Sequence, residues 1–266
     1  MLFATSLESE LFANENVCFA VSDRYGGASV GAFDTLNLGY HVGDERQHVE
    51  SNHRHVRDAF FRHFDMRDRG LWRAPLYYCE QIHSTKSVII DEGVVSAYGG
   101  CDEASVCLGE ADALITHVPY ALAFVMVADC NPILLYDRRL KVMGVIHAGR
   151  KGVFGGIVPA VFWRMNEVYG TMARDCLIYV GASIRSCCYE VGEEIRAQAR
   201  ILGFDDVFRG ENLDLIACLY KQAKNLGLES KQIEISPFCS SCEEGLYSYR
   251  RERTTGRFGL FAMLRE

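Results

Sequence analysis

One cysteine and two histidines stand where apolar runs of this chain break into polar residues, and they set the chemistry the sequence can support. The run over residues 121–128 gives way to Asp129 and Cys130, the run over 142–146 to His147, and the run over 76–82 to His83. Thiolate and imidazole are donors that zinc and copper accept, and three such protein ligands leave a fourth position open for water or substrate. The same residues suit a Cys130 nucleophile with His147 as its base, or plain core packing. Their long separations in sequence decide nothing. The support is their context, because each stands where a strand hands over to a turn, held by the sheet yet open to a cleft. Gln81 is expected to share a strand face with His83 by the period of two. Asp129 is placed to accept an imidazole N–H or a proton.

Directly after His147, residues 148–156 read A-G-R-K-G-V-F-G-G and lead into a helix. Small residues, the cations Arg150 and Lys151 and a helix N-terminus suit a phosphate or another oxyanion, although the P-loop spacing is absent. The alternative is an ordinary Gly-rich turn with both cations solvated. A second turn-rich stretch, residues 23–31, places Arg24 before a Gly pair and offers a similar choice. C-S-S-C at Cys239 and Cys242 has zinc-knuckle or redox spacing but shows no partner pair. The neighbours Cys187 and Cys188 read as too close to share one tetrahedral metal, so both pairs are taken as loop structure.

The elements that must position these residues follow from periodicity and punctuation. Strands are expected over 17–22, 76–82, 87–91, the two central runs that carry Cys130 and His147, 177–180 and 232–236. Helices are expected over 46–64, 156–169, 193–202 and 212–226, the last closed by Gly227 as a C-cap. Residues 99–109 read as a loop holding Cys101 and Cys107, and Asp112 stands at the entry of a further short strand. His48, His53, His55 and His63 fall on the first helix and read as its solvated face. No repeat or linker interrupts the alternation, so residues 1–266 are expected to form one mixed α/β domain.

Composition narrows the function classes. The chain has 266 residues, 49% hydrophobic and 24% charged, as a soluble protein with a large core would. A net charge of −7 argues against a general nucleic-acid or membrane surface while allowing a local basic pocket. The first ten residues lack the pattern of an export signal, no apolar run approaches the ~20 residues of a membrane helix, and the 11 cysteines are odd in number and irregularly spaced. A reduced, cytoplasmic protein is expected. The sequence sets no oligomeric state.

Several short stretches then add up. Q-I-H-S at 81–84, A-D-A-L-I-T at 111–116, A-D-C-N-P-I-L-L-Y-D at 128–137, G-V-I-H-A-G at 144–149, C-C-Y-E-V-G at 187–192, and Y-R-R and T-G-R near the C-terminus occur in the order of one family, with D-R-Y-G-G-A-S and L-N-L-G-Y-H-V-G-D ahead of them. The chain resembles the laccase-domain family, described first as multi-copper polyphenol oxidoreductases and later as zinc-dependent purine nucleoside phosphorylases. The resemblance implies mixed β-sheets layered between helices and a metal held by His83, Cys130 and His147, zinc in one description and copper in the other. It implies phosphorolysis of adenosine, inosine and methylthioadenosine, with adenosine deamination as a second reaction. Arg150, Lys151, Arg24 and Arg250 are the cations assigned to phosphate on this reading, and Asp129 and Glu190 the carboxylates for proton transfer. The chain departs from the family's H-A-G-W-R-G, placing Arg150 for the Trp and Lys151 for the Arg, and Lys lacks the bidentate fork of Arg. It also has Ser84 where the family has glycine and Gly181-Ala182 in place of G-P. Against a multi-copper oxidase, only two of the eight histidines lie in the metal-associated stretches. A metal-stabilised binding module would require a fourth protein ligand.

Overall fold

A computed structural model describes residues 2–66, 74–99, 101 and 103–265. Its frame is a pair of six-stranded sheets. The first runs, in spatial order, β1 (Leu2–Thr5), β2 (Val17–Ser22), β14 (Phe258–Leu264), β7 (Ala123–Val127), β3 (Leu76–Glu80) and β5 (Ser105–Glu110). The second runs β13 (Ile233–Ile235), β10 (Cys176–Val180), β8 (Asn131–Asp137), β9 (Val142–Ala148), β6 (Ala113–Thr116) and β4 (Ser87–Ile90). Both mix parallel and antiparallel pairs. A short hairpin joins β11 (Phe208–Arg209) and β12 (Asn212–Leu213).

Side-chain alternation produces the layers. In β2, Val17, Phe19 and Val21 point between the sheets and meet Leu134, Tyr136, Val145 and Tyr179 of the second sheet. Cys18 and Ala20 point outward, against Val56, Phe60 and Phe61 of α1 (Arg46–His63). On the far side, Ile133, Leu135 and Ile146 pack on Val153, Val161, Met165 and Leu219 from α3 (Arg150–Gly155), α4 (Ile157–Tyr169) and the helix Leu215–Asn225. The order is therefore helix, sheet, sheet, helix, as expected of mixed sheets between helices. Strands covered on both faces are apolar nearly throughout, which is why β7 and the middles of β8 and β9 read as apolar runs. Gly144 lets α4 approach β9, since a Cβ there would lie 2.9 Å from Val161 Cγ1.

Several expectations need correction. The helix expected over 212–226 starts at Leu215, because the Asp214 side chain accepts from Ala217 N and residues 212–213 pair as β12. Residues 105–109 of the expected loop belong to β5, which contains Cys107; Gly100 and Asp102 of that loop lie outside the described residues. The helix expected over 156–169 is present as α4, but the Gly-rich turn before it holds the short helix α3, and Gly156 at φ 79° separates the two. A helix, α2 (Glu92–Tyr98), follows β4, capped by Asp91. His53 is fully buried in α1 rather than solvated; its two ring nitrogens bond Ser105 Oγ and the Leu38 carbonyl, each at 2.8 Å. The sequence reading also passes over Phe258–Leu264, which becomes a central strand of the first sheet.

Candidate metal centre

The site forms where the two sheets exchange the chain. β7 of the first sheet runs through Ala128, Asp129 and Cys130 straight into β8 of the second, and β8 pairs with β9 so that Pro132 lies opposite His147. β3 neighbours β7, and the chain leaving β3 brings in His83. One nitrogen from each of His83 and His147 and the Cys130 sulfur all lie within 4.8 Å of one another. Cys130 Sγ and His83 Nε2 are 3.9 Å apart, and the imidazoles meet edge to face with centroids at 4.8 Å. Gly149 makes room for this grouping, since a Cβ there would come to 2.7 Å from His83 Cδ2 and 2.9 Å from Cys130 Sγ.

The strand at β3 ends at Glu80, so Gln81 and His83 lie in the following loop and share no pleat. Gln81 instead ties that loop to β7: its Nε2 donates to the Met126 carbonyl and its Oε1 accepts from Met126 N, both at 2.7 Å. His83 at φ 60° and Asp129 at φ 93° both have positive φ, uncommon for non-glycine residues and concentrated at functional sites.

Asp112, not Asp129, orients the imidazole. His147 Nδ1–H donates to Asp112 Oδ1 at 2.8 Å, with both side chains buried, which leaves His147 Nε2 for the site. The same carboxylate accepts from His83 N (2.9 Å), Ser84 N (2.5 Å) and Ser84 Oγ (2.7 Å), so it fixes both histidines. Burial alone would raise its pKa, but the bonds from His147 and Ser84 hold it below the usual carboxylate range. Asp129 is used differently: Ser240 Oγ and Ser248 Oγ donate to its Oδ1, each at 2.7 Å, and Arg250 N to its Oδ2 at 2.6 Å. These are the bonds of a loop anchor. Burial works against ionisation of the Cys130 thiol, yet the adjoining His147 and His83 lower it to about 6. Burial likewise opposes the His147 cation, and the Cys130 thiolate with Asp112 raises it to about 9. A thiol that ionises more readily beside imidazoles suits metal binding, in which a cation displaces the ligand protons.

A cavity of about 420 Å³ opens over the three residues, within the range of small-molecule sites. Its wall includes Asp129, Tyr189, Tyr249 and the three cations Arg250, Arg253 and Arg257. Arg250 Nη2 donates to the Glu190 carbonyl and its guanidinium stands 5.3 Å from the Tyr189 ring centre. Of the cations assigned from sequence, only Arg250 lines this wall. Arg24 pairs with Glu252 at 2.6 Å and covers Tyr247, Arg150 bonds Gln198, and Lys151 is exposed. The side chain of Glu190 is exposed. Asp112, Arg253, Arg257 and His41, which also lines the wall, are the residues sequence reasoning missed. Asp112 and Arg257 do lie within the quoted stretches A-D-A-L-I-T and T-G-R.

Residues 18–265 match the family described as multi-copper polyphenol oxidoreductase laccase. A purine nucleoside phosphorylase of Corynebacterium glutamicum is 36% identical over 248 residues, covering 92% of this chain and 93% of that protein. Among solved structures, a hypothetical protein YfiH of Bacillus licheniformis superposes with a TM-score of 0.82 at 27% identity, covering 98% of this chain and 99% of the other. YlmD of Geobacillus stearothermophilus superposes with a TM-score of 0.81 at 27% identity, covering 97% and 94%.

Proposed function

This chain belongs to the multi-copper polyphenol oxidoreductase laccase family, and on that premise we propose that it is a zinc-dependent purine nucleoside phosphorylase acting at the His83–Cys130–His147 centre. The observation that carries the reading is an open three-ligand set beneath a cavity walled by arginines. The donor set fits the metal. Two imidazoles and a thiolate already lie together, Asp112 orients one imidazole from behind, and among the described residues no fourth His, Cys, Asp or Glu completes the group. That open shell favours catalysis over a purely structural role. The relatives' names supply the reaction, and the cavity's chemistry is consistent with it.

Bound zinc would supply a Lewis acid to a substrate oxygen or ring nitrogen. Arg250, Arg253 and Arg257 would hold the phosphate dianion through charge-assisted bonds, a role the sequence reading gave chiefly to Arg150 and Lys151. Tyr189 and Tyr249 offer ring faces for a purine. Asp129 keeps the 240–250 loop, and with it Arg250, against the metal ligands. Adenosine, inosine and methylthioadenosine are the substrates proposed, with adenosine deamination as a secondary reaction at the same centre.

The test is product chromatography with adenosine across a phosphate titration. The reading expects ribose 1-phosphate equal to the sum of adenine and hypoxanthine, with base release lost when phosphate is removed. Free ribose released at an unchanged rate without phosphate would make the protein a hydrolase. A second reading has its own observation, since Cys130, His147 and Asp112 line up as nucleophile, base and orienting carboxylate. An acyl adduct on Cys130 together with turnover in metal-free His83→Ala protein would favour it.

A further inference from the structure

A second group of donors lies apart from the first and is made only of cysteines. Cys187, Cys188, Cys239 and Cys242 have their four sulfurs within 4.8 Å of one another. Cys242 Sγ is 3.8 Å from Cys187 Sγ and 3.4 Å from Cys188 Sγ. A tetrahedral zinc with Zn–S bonds of ~2.3 Å places its sulfurs ~3.8 Å apart, whereas a disulfide needs about 2.05 Å. We propose that these four residues form a second metal site, a closed tetrathiolate shell for a structural zinc-class cation, distinct from the open centre at His83, Cys130 and His147. The site stands independently of the function proposed above.

Sheet topology explains how the two distant pairs meet. β10 and β13 are parallel neighbours, with Ile178 opposite Ile233 and Val180 opposite Ile235, so the chain leaves both strands at the same end. The parallel course continues beyond them: Ser236 N donates to the Val180 carbonyl, Ser183 bridges Cys239, and Ser240 N donates to the Ser183 carbonyl. Each exit loop then turns sharply. Cys188 N and Tyr189 N both donate to the Arg185 carbonyl, and Cys242 N and Glu243 N to the Cys239 carbonyl. The first turn brings two adjacent cysteines to one side, which answers the objection that Cys187 and Cys188 are too close to share a metal.

The surroundings suit bound thiolates. Arg185 N donates to Cys239 Sγ at 3.4 Å. Four thiolates around a dication leave a net charge of −2, and the Arg185 guanidinium supplies a partial offset while tying both loops through the carbonyls of Gly181, Ser236 and Phe238. A closed shell has no place for substrate, so the role is mechanical. The joined loops carry Ile184 and Tyr189 of the cavity wall and Ser240, which holds Asp129.

The experiment uses full-length Cys130→Ala protein, purified reduced with Zn²⁺ present, so that only the second site remains. Elemental analysis is expected to give about one zinc per chain, falling to background in Cys130→Ala carrying Cys239→Ser and Cys242→Ser. Should that triple variant not fold, Co²⁺ in place of Zn²⁺ decides on Cys130→Ala alone: an intense thiolate-to-cobalt charge-transfer band and tetrahedral d–d bands are expected. Cys130→Ala protein that binds neither Zn²⁺ nor Co²⁺, or that carries a Cys188–Cys242 disulfide by mass spectrometry despite the zinc, overturns the proposal.

Discussion

The two donor clusters share an end of the second sheet and differ in what they leave open. His83, Cys130 and His147 supply three mixed ligands at the floor of a cavity. Cys187, Cys188, Cys239 and Cys242 supply four like ligands on two loops at its flank, two of them exposed. Zinc that has four protein ligands cannot accept a substrate without losing one, and zinc with three can. Donor count therefore assigns chemistry to the first cluster and loop tethering to the second, although either would register as metal in a bulk assay.

The largest expected effect separates them. Cys130→Ala or His83→Ala should reduce phosphorolysis about a thousandfold or more, the scale on which preorganised electrostatic stabilisation operates, while zinc at the four cysteines persists. In Cys242→Ser the expected primary effect is a lower unfolding temperature by calorimetry, with the loss of turnover secondary. Equal losses of activity in both would erase the distinction.

Support behind the ligands comes next. Asp112→Asn keeps the shape but weakens the carboxylate that fixes His147 and the His83 loop, so metal affinity or turnover should fall about 10–100-fold. Zinc titration and steady-state rates read this, and unchanged values would remove Asp112 from the account. Phosphate recognition should give a smaller change. Arg250→Ala should raise the apparent phosphate requirement roughly tenfold to hundredfold, one charge-assisted bond of ~1.5–3 kcal/mol. The exposed Lys151→Ala should stay within about fivefold, as surface charges do. The reverse order would return the anion site to the turn after His147.

Thiol titration in metal-stripped protein sharpens the same contrast. Alkylation needs the thiolate, so its rate rises with pH through each thiol's pKa. Cys130, opposed by burial but lowered to about 6 by His147 and His83, should be modified from pH about 6 upward. Cys242, raised to about 11 by the neighbouring Cys188 thiol and by burial, should lag far behind. Peptide mapping after iodoacetamide at a series of pH values gives the order, and Cys242 reacting first would contradict these environments.

The first cluster was legible in the sequence because His and Cys at the edge of apolar runs mark buried chain reaching a rim, and the three such places lie together in the fold. Its supporting carboxylate was not. Asp112 and Asp129 both adjoin the right runs, and only the fold shows the first beneath His147 and the second beneath Ser240 and Ser248. Arg253 and Arg257 escaped notice for a related reason: a Gly-rich basic turn such as that of Arg150 and Lys151 carries a local signal, whereas these two line the cavity through the chain that leads into β14. The cysteine cluster was hidden because its pairs become partners only through the parallel pairing of β10 and β13, which no local pattern encodes. The burial of His53 was hidden likewise, since Leu38 and Ser105 reach it from other elements.

On the proposed function, one zinc held by His83, Cys130 and His147 carries the chemistry. Its most direct test is a zinc titration of metal-stripped Cys239→Ser/Cys242→Ser protein, in which only that centre remains, with ribose 1-phosphate formation measured at each step. No product is expected without metal, followed by a linear rise that saturates at about one zinc per chain. Full activity in the stripped protein, or none at any zinc level while zinc binds stoichiometrically, would contradict it.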